Sequence, residues 1–475
     1  MTNYNVICRD SGCDTMCPDS CEVPRTAILR GLIWWNGVTD LGDVKGTEYE
    51  VKNDKDRVAK GPMTFEGKSD SFDSLIWSFE VDLGSTSNSD VLPQEDWPNW
   101  EISVKQKIED EDKNKLQTDR FDLTTLDQPL PNYALNLVGF AGVATKTTDN
   151  HCEASGTTGG QGGQSVIVGV GDEAKLYDYA SRTGKYIILI NGMLGPPPNE
   201  SNDKPFYRIA SDKSILGINR NSGFSGAGLR IEGDRFSSGA SKDKNIIIRN
   251  INFENAPDGF DAIGVQDEAE CIWIDHCSFS NPARGTDGAL DIKTGSDYIT
   301  ISWNTFSDYE VTPDDGDEDN DFRAMLIGHN DDEVGDKDDF HVTLHHNRFV
   351  NCDQRLPRVR HSKLVHVFNN YYENVESYAI GSAEEAYVFV EGNYFVNVED
   401  PIDTCVGNGK RGYAAELDNV YINSPTAGSC HANKDVTELV EEPTYTYFVN
   451  TSVPEITLLG AGTGKIICGS DGLCV

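Results

Sequence analysis

The chain has 475 residues, enough to bury a large core, and no apolar run of the roughly 18 residues that a membrane-spanning helix needs. Its 40 basic and 78 acidic residues give a formal charge of −38, which repels nucleic acid and anionic membrane surfaces. It would repel a polyanionic sugar too, unless divalent cations neutralise part of the charge and bridge to the acidic partner.

The opening MTNYNVICRD lacks the basic start and apolar stretch of a signal peptide, so the expectation is a soluble chain with any export signal removed or replaced. Of 12 cysteines, four fall close together as Cys8, Cys13, Cys17 and Cys21. That density points to disulfides and an oxidising, extracellular setting; a zinc knuckle is the other reading, but there is no CxxC pair and no nearby histidine. The N-x-S/T sequons at Asn199 and Asn450 are compatible with secretion. Residues 1–130 form a first region with five of the seven tryptophans (Trp34, Trp35, Trp77, Trp97, Trp100). Alternation through Leu75, Trp77, Phe79 and Val81 predicts strands with one buried face, so this region reads as β-rich and is assigned no activity.

From Asn250 a repeat emerges: INFEN, CSFSN, NTFSD, NRFVN, NYYEN and NYFVN, with aromatics at 253, 279, 306, 349, 372 and 395. Spacings of 26, 27, 43, 23 and 23 residues indicate a solenoid, one turn per repeat, with a long insertion between 306 and 349. Stacking the turns predicts an amide ladder of Asn304, Asn347, Asn370 and Asn393 and an internal column of the aromatics; both are structural assignments. The main domain is taken as 131–445, followed by a tail, 446–475, holding Cys468 and Cys474.

Two stretches carry chemistry. In PDGFDAI and DGALDI, Asp258, Asp261, Asp287 and Asp291 come from neighbouring turns and would converge as hard oxygen donors; one such pair alone reads as an ordinary surface turn. In CDQRLPRVRHS, Arg355, Arg358 and Arg360 cluster around Pro357, and concentrated arginine in so acidic a chain suggests carboxylate recognition; salt bridges to the acidic surface are the other reading of this stretch taken alone. Arg355 and Arg360 are an odd number of residues apart and would face opposite ways in one strand, so the proline is expected to break the strand and let them converge.

Together, LNLVGFAGVATKTT, TTGGQGG, WIDH, DGALDI, AMLIGHN, RLPRVR and VEGNYF closely resemble the pectate lyase family of secreted polysaccharide lyases, over about two thirds of the chain from Asn132 on. The resemblance implies an all-β chain with a right-handed, single-stranded parallel β-helix, Ca2+ as cofactor, and eliminative cleavage of α-1,4-linked galacturonate. It matches Asp261, Asp287 and Asp291 to calcium ligands and Asp258 to a further one whose offset from Asp261 is a residue too long. Arg355 matches the proton-abstracting arginine and Arg360 the one that holds substrate carboxylate; Arg358 is a further substrate-binding candidate. Where the family has an Asp-His pair and then a lysine before L-I-G, NTFSDYEVTPDDGDEDNDFRAMLIG has Tyr309, an acidic insertion and Arg323. Arg323 keeps the positive charge for catalysis and substrate binding, but a planar fork does not reproduce an ammonium.

The expected partner is an acidic polysaccharide, pectate or another uronate polymer. The rival is a non-catalytic β-helix, an extracellular structural, adhesive or sugar-binding subunit that self-associates through its cysteine-rich opening.

Overall fold

The computed structural model describes strands at 28–36, 44–53, 56–62, 64–69, 74–82, 100–108 and 116–122. It further describes 137–143, 152, 156–198, 205–218, 220–233, 243–257, 259–280, 288–309, 323–332, 339–407, 409–426, 430, 433–434, 438 and 441–465. Asp258, Asp287, Asn199, the four opening cysteines, Cys468, Cys474 and most of the acidic insertion lie outside these residues.

Contacts divide the chain into Met1–Leu135 with Ile467–Cys474, and Asn136–Ile466 with Val475. The first unit holds two antiparallel sheets. Ser74–Asp82, the segment that alternates Leu75, Trp77, Phe79 and Val81, pairs with both Ile28–Asn36 and Thr64–Ser69. Val44–Asn53 pairs with Asp56–Pro62 and with Trp100–Ile108, which in turn takes Leu116–Asp122.

The second unit is a parallel β-solenoid. One face is an 11-stranded sheet running from Gln164–Gly169 to Asn433–Lys434. The other two faces merge into a 15-stranded sheet because the 13-residue strand Tyr371–Ala383 serves both. Each turn places short apolar strands directly above their equivalents, so like residues repeat at the inter-strand spacing of about 4.8 Å. The aromatic column follows: Phe253, Phe279, Phe306, Phe349, Tyr372 and Phe395 stack with centroids 4.6–5.0 Å apart. Phe224 extends the column at one end and Tyr421 at the other.

Beside it, each amide of Asn304, Asn347, Asn370 and Asn393 donates to the next, at 3.0, 2.9, 3.0 and 3.1 Å, ending on Asn419. The same oxygens accept the backbone N–H of the preceding asparagine, so the ladder satisfies turn groups that water cannot reach. A second, outer ladder links Asn351, Asn374, Asn397 and Asn423, all with φ of 50–55°. Asparagine tolerates that left-handed turn conformation better than other residues with a Cβ.

The helix Glu173–Ser181 buries Leu176 and Ala180 in the same core. The helix Val453–Gly460 packs on the outside, with Val453 buried against Tyr371 and Val396. After it, Gly462 N–H bonds Trp303 O and Gly464 N–H bonds Asn250 Oδ1. Disulfides join Cys152 to Cys271 and Cys405 to Cys430. The side-chain nitrogen of Asn450, one of the two sequon asparagines, lies 2.7 Å from Nε2 of the buried His346.

Candidate active site

The solenoid face made by Asp261–Gln266, Gly288–Ile292, Met325–Ile327 and Arg358–Arg360 carries the candidate residues. Strand alternation alone does not place them. Ala262 with Ile263, Ala289 with Leu290, and Ala324 with Met325 are consecutive pairs that are all buried in the core. The chain therefore turns a corner between the members of each pair, and residues on either side of the corner share the outer surface. Asp261 and Gly264 on one turn consequently lie above Gly288 and Asp291 on the next.

Both carboxylates lean over Gly288. A Cβ built on that glycine would lie 2.9 Å from Asp291 Oδ1 and 3.2 Å from Asp261 Oδ1. Any larger side chain would fill the cradle between them. Asp291 Oδ1 also accepts the Leu326 N–H at 3.1 Å, which fixes its rotamer. The outer oxygens hold a positive charge: Lys293 Nζ is 2.7 Å from Asp291 Oδ2 and 3.5 Å from Asp261 Oδ2, and Arg230 Nη1 is 4.0 Å from the latter. Two nearly buried carboxylates facing each other across a glycine supply hard oxygen donors suited to a divalent cation, which would compete with Lys293 for their outer oxygens.

The arginines occupy the next turns. Arg323 pairs with Gln354 through a parallel bridge, immediately beside Arg355. Arg355 has φ 61° and precedes the cis Leu356–Pro357 bond; Leu356 enters the core, while Arg358 and Arg360 flank the buried Val359. The strand break expected at Pro357 is thus a corner. It sets Arg355 among Arg323, Arg358 and Asp291, whereas Arg360 is held by Asp331 at 2.7 Å and His329 O at 3.3 Å. Arg358 donates to Val406 O at 3.3 Å.

Burial is the main influence pulling the Arg355 pKa below the ordinary guanidinium value, reinforced by Arg323 and Arg358 against the opposing pull of Tyr378 and Asp291. Arg358 is lowered in the same direction, by burial first and by Arg360 next. A partly buried arginine crowded by cations is the environment that weakens a guanidinium's hold on its proton.

Sequence reasoning passed over Lys293 and Tyr378. Lys293 follows Asp291 by two residues, and same-face spacing in a strand is the signal that would have found it. Tyr378 carries no local signal; it reaches the site because Gly381, in register with Arg358, leaves room for its ring.

A pectate lyase family model matches residues 134–450. A pectate trisaccharide-lyase of Thermotoga maritima is 34% identical over 371 residues, 70% of this chain and 89% of that one. Its counterpart in Bacillus licheniformis is 31% identical over 322 residues, 66% and 84% of the two chains. Among solved structures, a Bacillus pectate lyase in complex with trigalacturonate is 26% identical, with TM-score 0.53 over 69% of this chain and 99% of its own. Pectate lyase II of Xanthomonas campestris, 22% identical with TM-score 0.53 over 70% and 100%, shares the fold. Given the match over most of the solenoid, this chain belongs to the pectate lyase family, whose members are polysaccharide lyases and generally depend on a metal ion.

Proposed function

We propose that the chain cleaves pectate, α-1,4-linked polygalacturonate, by β-elimination with Ca2+ as its metal. The observation that carries this reading is the juxtaposition of a carboxylate pair, Asp261 and Asp291, with a buried arginine whose pKa is pulled down, Arg355. Asp258 and Asp287 are candidates for further metal ligands from their places in the sequence.

In the reaction, the C5 proton of a uronate passes to Arg355 in its neutral form. The electron pair of the C5–H bond becomes the C4–C5 double bond, the C4–O4 bond breaks, and O4 leaves with its pair and takes a proton from solvent. Negative charge accumulates on the C6 carboxylate as the proton leaves, so Arg323, Arg358 and Arg360 stabilise charge where it develops. A calcium ion held by Asp261 and Asp291 would act as a Lewis acid towards the same carboxylate. Arg360, already anchored by Asp331 and His329 O, is placed to hold a substrate carboxylate through its remaining donors. The disulfides Cys152–Cys271 and Cys405–Cys430 support an extracellular site of action.

The test is the ultraviolet absorbance of the unsaturated uronate during incubation with polygalacturonate, with excess Ca2+ and with chelator. A calcium-dependent rise, lost in Arg355→Ala, is the expected result. No rise with polygalacturonate across a broad range of pH and salt would reject the reading.

A further inference from the structure

The hydroxyl of Tyr378 is buried and makes no aligned hydrogen bond with any group among the described residues, although the side chain is only 8% exposed. A buried hydroxyl without a partner destabilises a fold by about 1–3 kcal/mol, so its persistence calls for a use. Its surroundings are specific. The ring packs with Ala383 and Val406, and its Cε2 edge lies against Gly381, where a Cβ would approach to 2.7 Å. Gly381 stands in register with Arg358, and Ala383 with Arg360, so the tyrosine sits one turn along from the arginine cluster. Arg355, Arg358 and Arg360 are the charged groups that act on its hydroxyl, and Arg355 comes within reach of a hydrogen bond without being aligned for one.

Burial raises the Tyr378 pKa, so the phenol is neutral at ordinary pH even though the three arginines pull it down. A neutral phenol oxygen surrounded by guanidinium groups can accept from one of them. Hydrogen bonds of catalytic groups are often long or misaligned in a free enzyme and tighten in the complex. We propose, resting on the lyase reading above, that Tyr378 is a positioning residue for Arg355. When a uronate enters and draws the arginines together, Arg355 donates to the Tyr378 oxygen, and this fixes the guanidine against the C5 proton. Arg360 has its own anchors, so substrate affinity does not depend on Tyr378.

Tyr378→Phe removes the oxygen and keeps the ring, so the packing against Val406 and Gly381 survives. The expected result is a kcat about tenfold lower, as for a misoriented catalytic group, with KM unchanged and a melting temperature that holds or rises, because the variant loses a buried hydroxyl without a partner. A hydroxyl with a purely structural use would lower the melting temperature when removed and leave kcat alone. The second readout does not need turnover: trigalacturonate should produce a tyrosine ultraviolet difference band in the wild type that is missing in Tyr378→Phe. If the wild type makes no unsaturated product, the lyase reading fails by itself and the band decides the role of Tyr378. An unchanged kcat in an active enzyme, or the same band in both proteins, overturns the proposal.

Discussion

The inner asparagine ladder offers the sharpest test of what holds the solenoid together. Asn347 is fully buried, and its amide group makes four hydrogen bonds. It donates to Ile301 O at 2.9 Å and Asn370 Oδ1 at 2.9 Å, and accepts from Asn304 N and Asn304 Nδ2, both at 3.0 Å. In Asn347→Ala the Asn304 backbone N–H is left bare in a place water does not reach, a loss of about 1–3 kcal/mol. Each of the other broken bonds contributes roughly 0.5–1.5 kcal/mol, partly offset because Asn370 Oδ1 still accepts from the Asn347 backbone and Asn304 Nδ2 still donates to Ile274 O. The total is about 4 kcal/mol. The control is Asn374→Gly in the outer ladder, where both side-chain bonds are exposed and glycine accepts the φ of 55°. Water replaces those bonds, and the expected change is below about 1 kcal/mol, chiefly unfolded-state entropy. Native-state hydrogen exchange on peptides covering Asp297–Ser302 and His341–His345 reads the opening free energy of the affected turns without requiring the whole chain to unfold in one step. If the two variants differ by less than about 1 kcal/mol, the argument from buried unsatisfied groups is refuted for this ladder.

Further outcomes follow from the site and from the buried histidines. Arg323→Lys should keep lyase activity to within about tenfold while Arg323→Ala loses about a hundredfold in kcat, because charge on the developing dianion matters more than the shape of the donor. Lys293→Met should tighten Ca2+ binding in calorimetry, since Nζ at 2.7 Å from Asp291 Oδ2 competes for the carboxylates; weaker binding would make the lysine a support of the site instead. Burial lowers His345 from 6.5 to about 4, and His276, His346 and His366 in the same direction. Their contribution to stability is whole above pH 6.5, where folded and unfolded forms are both neutral, and is lost progressively as pH falls below it; for His345, whose loss extends to about pH 4, it is about 3 kcal/mol. Burial opposes protonation of His341, but Asp297 and Glu441 outweigh it and raise its pKa, so its contribution is whole below 6.5 and is lost as pH rises through the folded value. Melting temperature measured against pH should therefore fall steeply below 6.5, and His341→Gln should reduce stability more at pH 6 than at pH 8; equal losses at both would contradict the sign.

How much of this was legible in the sequence depends on whether a feature repeats. The motif N-x-aromatic-x-N carries three columns at once: in Asn347, Phe349 and Asn351 the first asparagine enters the inner ladder, the aromatic the core stack and the last asparagine the outer ladder. Because three turns restate it whole and three more, INFEN, CSFSN and NTFSD, restate it in part, spacing alone reveals it. The early turns Gln164–Gly169, Tyr186–Asn191 and Lys213–Gly217 pair in the same sheet but are not followed by the N-x-aromatic-x-N pattern, so spacing does not reveal them. The site is legible by residue type and opaque in geometry. Nothing in DGALDI announces that both Ala289 and Leu290 point inward, yet that doubled inward pair is what brings Asp291 round to face Asp261. Tyr378 lies further beyond reach, since its role depends on which residue stands above Gly381, a matter of register between turns 23 residues apart, as Arg358 and Gly381 are.

The same geometry resolves the opposition between a chain of charge −38 and a polyanionic substrate. Exposed charges are screened beyond about 8 Å at physiological salt, so the bulk of the acidic surface acts weakly on a sugar lying against the arginine-bearing face. Within that distance the described residues present Arg323, Arg355, Arg358 and Arg360, of which Arg360 is bound to Asp331 and Arg355 and Arg358 are depressed by burial and by one another. Clustering cations in a partly buried place is unfavourable in the free protein, and among the described residues the nearby Asp291 and Asp331 offset part of that. A uronate carboxylate relieves it directly, and the cluster holds most tightly the state with the most negative charge. Net charge and substrate charge therefore act on different length scales: raising the salt concentration should weaken the long-range repulsion first and the contacts of the arginine cluster last.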